Sequence, residues 1–365
     1  MSTIDMSFEG SRLTVKEILD YPNPMLDLKQ NGRSNNTTTN SMWPLVTLED
    51  VEDWDDFTAL NIDAAWGDIY NKSLSDKWLR LIRTHFGEAD SRLEDDRIVK
   101  DEEDFEKIGR KWHETILKAA LVETWPDVQQ RLNTSSPGRV IVDWAPHRVP
   151  WTMGDKKLEL VMDWAIRLTR DKSRILVVGE TKKSTVFNSA LLRNRRRING
   201  NLKCSGTWPL RQVAAYAYHA GTRYGAIATP EELFLLEFFI KSDEKPMPPH
   251  LGCRCKVIPM HGPNPEFAAN FALWALGMYA LHDEHKELVS KRDITPLNLW
   301  TYQENGGSCL YTNVRCGRVL ADPNQISEGA QVVTQEKLPF VLPEQPERPT
   351  LRTRRSRRQL GMAPE

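Results

Sequence analysis

The sequence predicts an α/β protein: a mixed central β-sheet flanked by helices, preceded by a helical N-terminal part. Three observations carry this. Apolar residues recur at helical spacing through residues 58–86 and 102–132. The pattern then changes to short, nearly continuous apolar runs at 139–145, 158–168 and 174–182. Two more such runs, 224–229 and 233–239, lie between a helix starting near Pro209 and another over 265–288.

The elements follow in chain order. With 365 residues, 40% of them hydrophobic, the chain can bury one sizeable domain with extensions, or two small ones. Residues 1–45 are polar and rich in Asn, Ser and Thr, and read as flexible apart from a short helix at Thr14–Leu19. In 58–86 the expected buried anchors are Leu60, Trp66, Ile69, Trp78, Leu79 and Ile82. In 102–132 they are Phe105, Ile108, Trp112, Ile116, Leu117 and Leu121, with Pro126 expected to break or kink the helix. The runs 158–168 and 174–182 are joined by a short polar turn near Arg170–Ser173 and read as a hairpin. Phe267, Phe271, Trp274, Met278 and Leu281 form an apolar stripe on the last helix, read as core. These features place a folded unit at 46–290, a C-terminal extension at 291–342 and a flexible basic tail at 343–365.

No apolar run approaches the roughly 18 residues of a membrane span, and the N-terminus lacks a basic region followed by an apolar one. The expectation is a soluble, intracellular protein of the nucleus or cytoplasm. The basic cluster Arg352–Arg358 is compatible with nuclear import, and equally with a nonspecific electrostatic tail. Five cysteines without an export signal imply reduced thiols. His250, Cys253, Cys255 and His261 crowd together but lack paired Cys-x2-Cys hooks, so a loop with small half-buried residues is favoured over a zinc site.

Charge is segregated. Residues 49–106 hold 19 acids and 7 bases, a net of −12, whereas residues 170–225 hold 12 bases and 2 acids, a net of +10. The basic segment, with its Arg193, Arg195, Arg196 and Arg197 cluster, suits an anionic partner or, alternatively, internal neutralisation of the acidic one. Trp208, Tyr216 and Tyr218 could stack on unpaired bases, although aromatics beside a sheet are more often core.

The chemistry concentrates at Asp163, Glu180 and Lys182. A Glu-x-Lys alone means little, since Asp27-x-Lys29 and Glu284-x-Lys286 fit the same loose pattern. Glu180-Thr181-Lys182, however, ends an apolar strand and follows a hairpin partner carrying Asp163. Residues i and i+2 of a strand share a face, so Glu180 and Lys182 project together and Asp163 can join them. Two carboxylates offer hard oxygens to Mg²⁺ or Mn²⁺, and the lysine can orient water or stabilise charge on a phosphate. Gly179 would let a substrate backbone approach. Asp143, in a similar VDWA context, competes with Asp163 but lies farther from Glu180. On the next helix Gln212 and Tyr216 share one face at i and i+4.

Asp163, then Glu180-x-Lys182, then Gln212-x-x-x-Tyr216, resembles the motif order of the PD-(D/E)XK nuclease superfamily, especially its RecB-like and lambda-exonuclease-like branch. VVGETKKS and RQVAAYAYHAGTRYGAIAT also resemble uncharacterised nuclease-like proteins of filamentous fungi. The resemblance spans roughly residues 100–285 and implies a restriction-endonuclease-like fold. It implies metal binding by Asp163 and Glu180, catalysis by Lys182, and support from Gln212 and Tyr216. Met162 stands where the family usually has proline. A further helix acid is implied; Glu102 best fits its spacing from Phe105, with Glu103 and Glu106 as rivals. The expected activity is metal-dependent hydrolysis of phosphodiester bonds in DNA or RNA, with DNA the favoured partner of the two. The competing expectation is a catalytically silent nuclease-like fold that binds nucleic acid or protein.

Overall fold

The computed structural model describes residues 13–23, 25–29, 40–82, 84, 98–132, 138–153, 156–169, 174–193, 207–241, 248–261, 266–305 and 308–334. Residues Arg195, Arg196 and Arg197, the turn at 170–173, Cys204 and the basic tail lie outside them.

The N-terminal part contains α1 (Val15–Leu19), β1 (Asp27–Leu28), β2 (Val51–Asp53), α2 (Ala59–Tyr70), α3 (residues 76–82), β3 (Ile98–Val99), α4 (Glu102–Ile108) and α5 (Glu114–Arg131). Helix α1 starts where expected, because Thr14 and Glu17 form a capping box. The single helix expected over 58–86 is instead two. Between α2 and α3 the backbone turns aside to bond the chain next to α1, with Val15 donating to Lys72 O and Leu74 to Leu13 O. Leu60, expected to be buried, is 66% exposed, while the other five anchors are buried. Pro126 does not break α5; the buried Trp125 and Val128 beside it keep the helix packed, and this tertiary contact outweighs one missing hydrogen bond. A five-residue π-turn, Gly109–His113, joins α4 to α5.

The central part adds β4 (Val140–Asp143), β5 (His147–Met153), β6 (Lys156–Met162), β7 (Trp164–Leu168), β8 (Ile175–Thr181), α6 (Ser189–Arg193), α7 (Trp208–Ala220), β9 (Tyr224–Ala228), β10 (Glu232–Ile240), β11 (Leu251–Pro259), α8 (Ala269–Tyr279) and α9 (Asp283–Lys286). Seven strands form one mixed sheet in the order β2-β11-β10-β9-β8-β7-β4. Strands β7 and β8 are antiparallel as expected, with Trp164 opposite Gly179, and β8 runs parallel to β9. The run 158–168 is not one strand. It splits at Asp163, so β6 pairs with β5 in a separate two-stranded ribbon while β7 joins the main sheet.

Helices cover both faces. One core lies between the sheet and α1, α2, α5 and α8, and contains Trp66, Leu121, Trp164 and Trp274. The other lies under α7 and contains Val178, Leu210, Val213 and Tyr216. The fold is therefore a mixed α/β arrangement with a large mixed sheet between helical layers. Helix α8 is shorter than the 265–288 expected and is buried on all sides, not only along its stripe.

The segment holding Cys253 and Cys255 is strand β11, not a loop. Leu251, Cys253 and Cys255 alternate with Gly252 and Arg254, a period-2 pattern, and both thiols are buried. His250 and His261 flank opposite ends of this strand and bond Asp50 and Pro230 O respectively, so the four do not converge on a zinc ion. Among the described residues Cys253, Cys255, Cys309 and Cys316 are free thiols.

The C-terminal extension forms a four-stranded sheet from β12 (Leu299–Asn305), β13 (Ser308–Asn313), β14 (Val319–Leu320) and β15 (Gln331–Thr334). Arg315 pins it to the main body. The fully buried guanidinium donates to Glu237 Oε1 (3.2 Å) and to Thr295 O (3.1 Å), and also bonds the Tyr224 hydroxyl. Among the described residues no helix is long and apolar enough to cross a membrane.

Candidate functional site

Strand β8 is buried along its whole length, which fixes the face of every side chain. Val178, Glu180 and Lys182 alternate toward α7, and Lys182 continues the pairing past the strand end by donating its amide to Ala228 O (2.9 Å). Glu180 is only 2% exposed. Its Oε1 accepts from Lys182 Nζ and from Gln212 Nε2 (2.8 Å), while Oε2 is buried with no partner among the described residues. The same Gln212 nitrogen donates to the Tyr216 hydroxyl (2.6 Å), which in turn donates to Val161 O (2.6 Å) at the base of the β5–β6 ribbon. Gln212 Oε1 is likewise buried and without a partner. The helical i, i+4 spacing thus puts Gln212 and Tyr216 into one chain of hydrogen bonds with the strand glutamate.

Asp163 sits at the break between β6 and β7. Its amide donates to Gly179 O (3.2 Å) and its Oδ2 accepts from the Thr181 amide (2.7 Å), so it brackets Glu180 from both sides. Across the strand end, Glu102 on α4 accepts from the Lys183 amide (3.3 Å). Glu106, one turn on, is half-buried on the same helix face. Glu103 is directed outward, 76% exposed and paired with Lys107.

The cluster perturbs its own titration. Burial, and then the charge of Asp163, push Glu180 up to about 8, against the pull of Lys182. Burial also raises Asp163, opposed by the Thr181 hydrogen bond and Lys182. Burial pulls Lys182 down, but Glu180, Glu102 and Asp163 outweigh it and leave its ammonium more firmly protonated than usual. Burial and the Asp163 charge push Glu106 up to about 7, with Arg110 acting the other way. Burial and the charge of Glu180 raise Tyr216.

The fold thus brings together Asp163, Glu180, Lys182, Gln212, Tyr216 and Glu102. Glu106 joins them by charge; its i, i+4 spacing from Glu102 was the available sequence signal. Asp143 does not join, because Arg167 (3.0 Å) and His147 (3.4 Å) hold it on edge strand β4. Arg193 ends α6 exposed. Trp208 lies under Arg211 and beside Trp43. Gly179 has a different purpose from the one expected: a Cβ there would lie 2.0 Å from the Trp164 ring, so the missing side chain makes room for tryptophan, not substrate.

The donors are all hard oxygens, and an orphaned carboxylate oxygen is present in Glu180 Oε2, a combination that suits Mg²⁺ or Mn²⁺. Even so, among the described residues no three His, Cys, Asp or Glu groups close into a metal cage. No protein-family model matches the chain, and no curated protein or solved structure is significantly similar to it.

Proposed function

We propose that the chain is a metal-dependent nuclease of the PD-(D/E)XK type with a restriction-endonuclease-like core, acting on DNA or RNA. The observation that carries this reading is Glu180: a carboxylate only 2% exposed, held by Lys182 and Gln212, with its second oxygen unpartnered among the described residues and Asp163 nearby. A scaffold gains nothing from such a group, since an unsatisfied buried oxygen costs about 1–3 kcal/mol. Perturbed carboxylates beside a cation at a strand end are what catalysis at phosphate requires.

In this reading Asp163 and Glu180, with Glu102 from the helix, hold Mg²⁺ or Mn²⁺. The ion would supply Lewis acidity toward a phosphodiester and acidify a bound water. The chain's own residues do the rest. Gln212 and Tyr216 fix the rotamer of Glu180 through the hydrogen-bond chain to Val161. Lys182, paired with Glu180, is the group that holds the attacking water or the developing phosphate charge. Thr181 keeps Asp163 oriented through its amide. Arg193, with Arg195, Arg196 and Arg197 that follow it in the sequence, would supply phosphate contacts.

The closed Lys182–Glu180 pair and the open spacing of the acids favour one second reading, a catalytically silent fold that binds nucleic acid. Incubation with supercoiled, linear and single-stranded DNA and with RNA, with and without Mn²⁺, separates the two. Cleavage that needs the ion supports the nuclease; binding of nucleic acid and metal without any cleavage supports the silent module.

A further inference from the structure

Two stacked tryptophans separate the acids of the helix from those of the strand. Trp164 opens β7 and covers Gly179, the residue before Glu180, where a Cβ would lie 2.0 Å from its ring. Trp144 follows β4 and stacks on Trp164, with ring centroids 4.5 Å apart and planes 15° from parallel. Beyond Trp144 is Gly109, where a Cβ would lie 2.3 Å from the indole Nε1. Gly109 opens the π-turn that ends α4, the helix carrying Glu102 and Glu106. Glycine, indole, indole and glycine therefore form one continuous contact between the two halves of the site.

Both indoles are fully buried, and neither ring N–H has a partner among the described residues, so the rings act here by thickness and not by hydrogen bonding. The contact is also tied to the acids. Arg110 donates through Nε to Trp144 O (2.6 Å) and reaches the Glu106 carboxylate through Nη2 (3.4 Å). The Trp144 amide donates to Glu114 Oε2 (3.1 Å), and His113 stacks on the outer side of Trp144.

We propose that Trp144 and Trp164, seated between Gly109 and Gly179, are positioning residues that set the distance from Glu102 and Glu106 to Asp163 and Glu180. The inference rests on the proposed metal site for its consequence but not for its geometry. Interiors are close-packed, so a methyl group at either glycine must move the helix or the strand. Gly109 is the better place to test it, because a shift there leaves β8 untouched.

The experiment is Gly109→Ala in the full chain, alone and with Trp144→Val, whose side chain lacks the three ring atoms that the methyl group would meet. Two quantities are read after circular dichroism has established that each variant is folded. The first is Mn²⁺ affinity, expected to fall about tenfold in Gly109→Ala, as loss of supporting contacts typically does, and to recover in the double variant. The second needs no metal: hydrogen exchange of the Lys183 amide, which bonds Glu102, is expected to accelerate, while that of Lys182, bonded to Ala228 O, stays constant. Trp144→Val alone serves if Gly109→Ala does not fold, with the same two readouts read against the parent. A parent protein that binds no Mn²⁺ overturns the proposed function, and exchange at Lys183 then decides the positioning role. Unchanged exchange at Lys183 in a folded variant overturns the inference, as does a loss of Mn²⁺ affinity that the second substitution leaves in place.

Discussion

Two glutamates are buried in the central sheet, and their surroundings differ in kind. Glu180 lies on the α7 face, opposite Ile227 near the end of β9; Glu237 lies opposite Tyr224 at the start of β9 and is 1% exposed. Glu237 is saturated: Oε1 accepts from Arg315 (3.2 Å) with Arg223 at 3.8 Å, and Oε2 accepts from Arg254 (3.3 Å). Arg223 and Arg315 also lie over Tyr224, each 5.9 Å from the ring. Glu180 has one lysine, one amide and an oxygen left over. The saturated carboxylate joins the C-terminal sheet to the body through Arg315, whereas Glu180 has one oxygen without a partner among the described residues. The two carboxylates therefore differ in how fully their own oxygens are satisfied, and in the proposed reading it is the unsatisfied one that serves function.

This contrast can be broken at either end. Glu237→Gln leaves three guanidinium groups around a neutral amide, and should lose about 3–5 kcal/mol of stability in denaturant unfolding, as breaking a buried ion pair does. Glu180→Gln should cost far less, because the glutamate is already largely protonated at pH 7 when it titrates at about 8. Equal losses in the two variants would erase the distinction.

Lys182→Ala sharpens the functional half. It should leave the fold intact and barely weaken nucleic-acid binding, yet cut turnover on the order of a hundredfold or more. A variant as active as the parent would remove Lys182 from the site. Gln212→Ala should lower turnover less, by about tenfold, since it positions Glu180 without carrying charge.

A pH-dependent effect follows from linkage. The Glu180 carboxyl titrates near 4.5 when unfolded and at about 8 when folded. The unfolded chain therefore releases its proton first. The contribution to metal-free stability is fully present below about pH 4.5 and is lost as pH rises to about 8. Thermal melting followed between pH 5 and 8 should decline in the parent, and the decline should be shallower in Glu180→Gln. Parallel curves would place the titration elsewhere.

Much of the site was legible in the sequence because strand and helix periods speak directly about faces. The two-residue spacing of Glu180 and Lys182, the hairpin partner carrying Asp163 and the four-residue spacing of Gln212 and Tyr216 each have a local signature. The split of 158–168 at Asp163 had none, since its pairing with β5 on one side and β8 on the other is a long-range choice. Strand β11 also carries alternation, but Pro248, Pro249 and Gly252 at its start read as loop punctuation. The Gly109–Trp144 contact and the Arg315–Glu237 pair join residues far apart in the chain, and no local pattern announces them.

The central claim is that Glu180 is held ready for a metal ion. It is tested most directly by calorimetric titration of Mn²⁺ into the parent and into Glu180→Gln at pH 7, in two buffers of different ionisation enthalpy. The parent should bind the ion and release a proton, because a ligand that titrates at about 8 must lose it, and the glutamine variant should bind at least about tenfold more weakly without that release. Equal affinity and equal proton release in the two proteins would contradict the account.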